Sequence, residues 1–360
     1  MSNSSINPGD FSCPVPQTDY DTVQMAHGGG GRLMRRLIEE MFLPAFRRGG
    51  ECAQEALRQP PHDSAVIRLG DGTRLAFTTD SFVVNPLFFP GGDIGKLAVC
   101  GTVNDLAMAG AKPLWMSAGF ILEEGFPLAE LEKIVESMHA VCEEVGVRIV
   151  TGDTKVVDRG KADGVFINTA GLGLIPENVD VTPARVRPGD KIILSGDVGR
   201  HGIAIMSVRE GLEFQGALPS DCAPLHGLVR LMIKKRPKEI HCLRDLTRGG
   251  LASALNEIAQ DVHVGIVIDE DAVPVAPPVA AACEVLGLDP LYVPNEGRMI
   301  AIVAAEAAGE LLAAIADHPQ AAGPTIIGEV TGDEPGVVEL RNRFGSSRVL
   351  DFLSGEQLPR

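Results

Sequence analysis

Residues 74–111 read RLAFTTDSFVVNPLFFPGGDIGKLAVCGTVNDLAMAGA. Arg74 to Val84 carries the β-branched and aromatic side chains of a strand. Gly95 to Ala111 combines small residues with an apolar periodicity and reads as a helix able to lie close on a sheet. Each element is interrupted by acid. Asp80, within Thr78-Thr79-Asp80-Ser81, and Asp105, within Asn104-Asp105, would be costly to bury without a partner or a metal ion.

Working outward, Leu33, Leu37, Ile38, Met41 and Phe42 recur at helical spacing, and residues 49–64 read as loop. After the central pair come a strand at Leu114–Leu122, an amphipathic helix at Leu128–Val145 and strands at Arg148–Val150 and Val165–Leu174. The turn Arg187-Pro188-Gly189-Asp190 then precedes an apolar strand, Lys191–Leu194, and marks a boundary. Helices from His201, Pro224 and Gly250, strands at Val264–Ile268 and Met299–Val303, a helix from Ala305 and strands near Ile326 and Val337 complete the pattern. The fold class is α/β, in an α+β two-domain arrangement. A length of 360 residues fits two cores, at 25–187 and 188–340, flanked by a disordered segment 1–24 and a mobile polar tail 341–360.

Composition excludes several classes. The net charge is −16, and no Lys/Arg cluster is dense enough to track a nucleic-acid backbone or an anionic membrane. Seven scattered cysteines without a CxxC pair argue against a zinc site or a disulfide framework. The start lacks the basic and apolar segments of a signal peptide, and no apolar run is long enough to span a bilayer, so a cytoplasmic protein is expected.

The residues able to carry chemistry sit at element boundaries. Gly28, Gly29, Gly30 and Gly31 precede a helix, where bare backbone amides can approach an anion, although a flexible linker has the same composition. Asp153, Thr154 and Lys155 follow a strand end, and Asp245 and Thr247 precede a helix in Arg244-Asp245-Leu246-Thr247-Arg248-Gly249-Gly250. A helix cap or surface ion pair accounts for any one of these acids. Four together, beside Thr, Asn or Gly, suit Mg²⁺ and phosphate. Asn295-Glu296-Gly297 can place a carboxylate in a cleft, or simply form a turn. Lys155 reads as a phosphate ligand, as a proton acceptor if desolvated, or as a plain solvated surface lysine.

In order, AHGGGG (26–31), TTDSFVVNPLFFPGGDIGKLAVCGTVNDLAMAGA (78–111), GFILEEG (119–125), IVTGDTKVV (149–157), LRDLTRGG (243–250) and PNEG (294–297) resemble the HypE family of hydrogenase maturation proteins. That family sits in the ATP-binding superfamily of aminoimidazole ribonucleotide and selenophosphate synthetases. The resemblance runs from about Met25 to Arg360. It implies a homodimer whose N-terminal sheets join into a barrel, with ATP beside it, Mg²⁺ held by Asp80, Asp105 and Asp245, and the glycines closing over the nucleotide. Gly28 to Gly31, Thr79, Asn104, Asp153, Thr154 and Thr247 are the other expected nucleotide contacts. It further implies that HypF loads a carbamoyl group onto a C-terminal cysteine, that the S-carboxamide is dehydrated to a thiocyanate with Glu296 and Lys155 as base candidates, and that the cyanide goes to iron on a HypC–HypD scaffold.

The family's tail ends Pro-Arg-Ile-Cys, whereas this sequence stops at Pro359-Arg360. The expectation is a shortened form that binds MgATP and accepts no carbamoyl group. The alternatives are a superfamily relative acting on a diffusible substrate, and a nucleotide-binding scaffold without catalysis.

Overall fold

The structure, a computed structural model, describes residues 20–46, 60–211 and 218–353. Cys13 and Cys52 lie outside those residues, and the five described cysteines are free and buried. A short helix, α1 (Arg32–Leu37), runs through a π turn into α2 (Leu43–Phe46). The first sheet is built from β1 (Ala65–Arg68), β2 (Arg74–Phe82), β5 (Lys112–Glu123), β6 (Arg148–Val157) and β7 (Val165–Ile175), in the order β1-β2-β7-β5-β6. A small hairpin, β3 (Phe88–Phe89) with β4 (Gly92–Asp93), leads into the long central helix α3 (Ile94–Met108). Next comes α4 (Leu128–Val145).

Helix α3 is buried almost all round, which explains its composition. The Asp93 side chain caps it by accepting from the N–H groups of Gly95 (2.7 Å) and Lys96 (3.1 Å). A Cβ at Gly101 would lie 2.8 Å from the Phe82 ring, and one at Gly95 would lie 2.4 Å from the Ile134 carbonyl oxygen. Small residues therefore let α3 sit between the sheet and α4. On α4 only one stripe, Ile134, Met138, Val141 and Cys142, is buried, and the helix stops at Gly146 in the left-handed region.

The second sheet comprises β8 (Lys191–Leu194), β9 (Ile240–Asp245), β10 (Gly265–Asp269), β11 (Met299–Val303), β12 (Thr325–Thr331), β13 (Val338–Arg341) and β14 (Ser347–Val349). Their order is β14-β13-β10-β12-β8-β11-β9. The helices are α5 (Arg200–Arg209), α6 (His226–Lys235), α7 (Gly250–Val262), α8 (Pro277–Leu286) and α9 (Ala305–Ile315). Strand alternation splits the core in two. Ile192, Leu194, Ile300 and Ile302 pack with α7 on one face. Ile193, Ala301 and Val303 pack with α6 and α9 on the other, in the same cluster as Ala76, Leu106, Met108 and Ile175 of the first unit. The two sheets are thus fastened through α3 by shared apolar burial.

The C-terminal stretch differs from the polar tail expected from residue 341. Residues 347–349 pair with β13, and Leu350 and Phe352 are buried. Asn256 Nδ2 donates to the Leu350 carbonyl (2.7 Å), and Tyr292 Oη donates to that of Asp351 (2.8 Å). Two apolar side chains anchor a segment whose neighbours are polar. Residues 1–19 and 354–360 fall outside the described residues, as do the tails expected there. Among the described residues, no helix is long and apolar enough to cross a membrane.

Candidate active site

Three carboxylates meet between the sheets. Asp105 comes from α3, Asp245 ends β9, and Asp63 lies on the approach to β1; one oxygen of each lies within 4.8 Å of the others. Thr78 Oγ1 donates to Asp105 Oδ2 (2.6 Å) from β2. Arg244 Nη1 reaches Asp63 Oδ1 at 2.9 Å and also pairs with Glu257 on α7. Burial, then Asp245, Asp63 and Asp80, push the Asp105 carboxyl well above the usual range. Asp245 is raised in the same way, by burial and then by Asp63. Asp63 Oδ2 and Asp245 Oδ2 are buried without a hydrogen-bond partner among the described residues. Crowded, desolvated, under-bonded oxygens are what a hard divalent cation relieves, and the donor set fits Mg²⁺.

The family resemblance implies Asp80, Asp105 and Asp245 as the holders of the ion. In the structure the third member of the close trio is Asp63, from the stretch 49–64 that reads as loop in sequence. Its signal was faint, because an acid before a short strand has no motif and only the fold brings it to β9. Asp80 stands beside the trio, 3.8 Å from Arg248 Nη2, and lines the cavities on both sides.

The glycines close this region from above. Gly30 has φ +79°, and a Cβ there would sit 2.6 Å from the Arg248 backbone; one at Gly31 would sit 2.7 Å from the Leu353 oxygen. The backbone at Gly30 and Gly31 is thus laid against the Arg248-Gly249 turn and the C-terminal segment, an approach only glycine permits. Gly30, Thr79 and Thr247 line the cavity of about 230 Å³ over the acids. Gly29 and Glu296 line a second, more apolar cavity with Phe82, Leu97, Ile205 and Tyr292.

Glu296 is raised well above an ordinary glutamate by burial and then by Cys222, Asp245 and Asp80. Its backbone is firmly held. The Glu296 and Gly297 N–H groups donate to the Asp221 carboxylate (3.3 and 3.2 Å), and the Ala223 N–H donates to the Glu296 carbonyl (3.3 Å). Asn104, expected at the nucleotide, is buried and otherwise engaged: Nδ2 donates to the carbonyls of Ala223 (3.1 Å) and Glu296 (3.3 Å), and Oδ1 accepts from Leu225 N–H (2.7 Å). It acts as a brace.

Lys155, Asp153 and Thr154 are not brought to either cavity in this chain. They lie on the exposed edge strand β6, where Lys155 Nζ is 2.5 Å from Asp153 Oδ2, and Asp153 and Thr154 line a groove against α4. β6 and β1 are opposite edges of the five-stranded sheet, and Asp63 and Asp105 gather at Thr78 of β2, next to β1.

The AIR synthase related protein models match both parts of the chain, the N-terminal domain at residues 61–175 and the C-terminal domain at 187–341. Carbamoyl dehydratase HypE of Azotobacter vinelandii is 56% identical over 339 residues, 94% of this chain and 97% of its own length. The Cupriavidus necator carbamoyl dehydratase HypE is 55% identical, covering 94% of each chain. Among solved structures, HypE in complex with ATP superposes with a TM-score of 0.77 at 44% identity, covering 94% of this chain and 99% of the other. A HypE–HypF complex gives 0.80 at 46% identity, covering 88% and 99%. The acid trio, the glycine closure and the held glutamate thus sit in a chain that belongs to the HypE carbamoyl dehydratase family of AIR synthase related proteins.

Proposed function

We propose that this chain is an ATP-dependent carbamoyl dehydratase in hydrogenase maturation. It converts an S-carboxamide on a C-terminal tail cysteine, loaded by HypF, into a thiocyanate whose cyanide passes to iron on HypC–HypD. The observation that carries this reading is the adjacency of two environments. A carboxylate trio suited to a metal–polyphosphate adjoins an apolar cavity holding one desolvated glutamate. The balanced reaction takes R–S–C(=O)NH₂ and ATP to R–S–C≡N, ADP and phosphate.

Bound Mg²⁺ would offset phosphate charge, with Asp63, Asp105 and Asp245 as its holders and Asp80 beside them. Gly28 to Gly31, Thr79 and Thr247 close over the phosphates. The cavity walls exclude water, which would otherwise compete for the activated carbon. Two nitrogen protons leave in all: one is lost as the oxygen is phosphorylated and ends on the released phosphate, and Glu296, as carboxylate, accepts the other as phosphate departs.

Asp153, Thr154 and Lys155 complete a site only through a second copy of the chain, so a homodimer is part of the proposal. The outward face of the first sheet carries exposed Phe77, Trp115, Ile121 and Leu174. Such a face and a free strand edge favour pairing, and a closed barrel removes the edge. Trp115→Glu is expected to shift sedimentation from dimer to monomer at micromolar concentration; an unchanged dimer would move the interface elsewhere.

The functional test uses the chain extended by Ile-Cys after Arg360, with HypF as the carbamoyl donor's enzyme. The tail peptide is expected to gain one carbamoyl group and then, with MgATP, to lose one water by mass spectrometry. A carbamoylated tail that never loses water would exclude the dehydratase reading and leave a nucleotide-binding scaffold.

A further inference from the structure

His201, at the start of α5, lies outside the glycine, acid and PNEG motifs, yet its imidazole lines the apolar cavity beside Glu296. It is buried and held on two sides. Its Nδ1 lies 2.8 Å from Ser220 Oγ, and the Phe89 ring meets it edge-on at 5.4 Å between centroids. Ser220 Oγ already accepts the Cys222 N–H at 3.0 Å. Its own O–H still needs an acceptor, and His201 Nδ1 is the one at hand, since a buried hydroxyl proton left unbonded is costly. That assignment puts the ring proton on Nε2. Burial also pushes the imidazole down to about 4, so the ring is neutral near pH 7.

One short turn therefore sets two polar groups around the same space. Ser220 orients His201, while Asp221 and Ala223 hold the Glu296 backbone. The Gly202 N–H donates to the Pro294 carbonyl (3.1 Å), tying the start of α5 to the loop that carries Glu296. Phe82, Val84, Leu97, Ile205 and Met206 form the apolar part of the wall, and Asp80, Ser81, Thr247 and Arg248 line the rest of the cavity. A neutral donor and a carboxyl set beside this apolar part of the wall match a small neutral group that has one acceptor and one donor.

We infer that His201 is a substrate-binding residue that donates from Nε2–H to the carboxamide oxygen, while Glu296 faces the carboxamide nitrogen. The inference rests on the dehydratase reading above and names the residue that orients its substrate. A donor aimed at that oxygen fixes which face of the amide meets Glu296 and which meets the phosphates, and positioning of this kind accelerates reaction.

The test is single-turnover water loss from the carbamoylated tail of the Ile-Cys-extended chain, read by mass spectrometry beside the MgATP-induced Tm shift. His201→Phe keeps the shape and removes the donor. It is expected to slow water loss about 10²-fold, within the range for losing one such donor, with the nucleotide shift unchanged. His201→Gln restores an N–H donor and is expected to recover most of that loss. Ser220→Ala frees the tautomer and should fall between them. His201→Phe losing water at the parental rate would overturn the inference. So would equal slowing of His201→Phe and His201→Gln, or a nucleotide shift lost in both, because a packing role predicts those results. If the parent itself never loses water, the dehydratase reading fails, and this inference fails with it.

Discussion

With Glu296 replaced by glutamine in the Ile-Cys-extended chain, water loss from the carbamoylated tail is expected to slow by about 10²- to 10⁴-fold, the usual range for a general base. MgATP should still raise the Tm, because the glutamine side chain keeps the shape and the backbone bonds to Asp221 and Ala223 do not involve it. The pH profile separates the roles. Burial and neighbouring acids raise the Glu296 carboxyl well above its ordinary value. If it serves as a base, the rate climbs as pH rises through that elevated pKa, and the variant's profile is flat there. A glutamine variant as fast as the parent would remove Glu296 from the proton transfer. Retained slope in the variant would assign the titration to another group.

The second large effect concerns the carboxylate trio and has opposite signs with and without cation. Asp105 has its carboxyl raised by burial, Asp245 and Asp63. A carboxyl whose folded pKa lies above its unfolded value of about 4 stabilises the fold fully below that value; the contribution is lost as pH rises through the folded pKa. Without divalent cation, stability therefore declines as pH rises above about 4, and Asp105→Asn should raise the Tm at neutral pH by a few degrees. Thr78 Oγ1 retains an acceptor in the amide oxygen. With MgATP at roughly 100 times its Kd, the parent should gain about 2.7 kcal/mol, and the variant should lose most of that gain. A variant destabilised without Mg²⁺ yet fully responsive to MgATP would show that Asp105 is structural and not a holder of the ion.

The acids illustrate what separates the two levels of reading. Asp105 and Asp245 stand in motif-like surroundings, at helix and strand positions where a carboxylate is conspicuous. Asp63 does not, and it reaches the other two only because β1 pairs with β2 while β9 ends beside α3. Asn104 is offered as a nucleotide contact only by the family resemblance, whereas Asp105 stands out as an acid in a small-residue helix. Their neighbouring positions on one helix turn them different ways, and the Asn104 amide is consumed by the backbone near Glu296. His201 carries no local sign at all; Ser220, nineteen positions on, gives it an orientation.

Periodicity is a local property, and from it alone come the α/β character, the buried small-residue helix at 94–108, the amphipathic helix at 128–145 and most strands in both sheets. Local signals also marked the glycines, although their reason, a backbone approach to Arg248 and Leu353, is a contact between segments more than 200 residues apart in sequence. Which acids share a cation-sized space was decided by strand order and helix placement, which depend on burial summed over the whole chain. The same holds for the fate of residues 341–353: a polar composition signals exposure, but Leu350 joins an apolar cluster that only the folded second sheet provides, and Phe352 is buried with the Arg35 guanidinium over its ring.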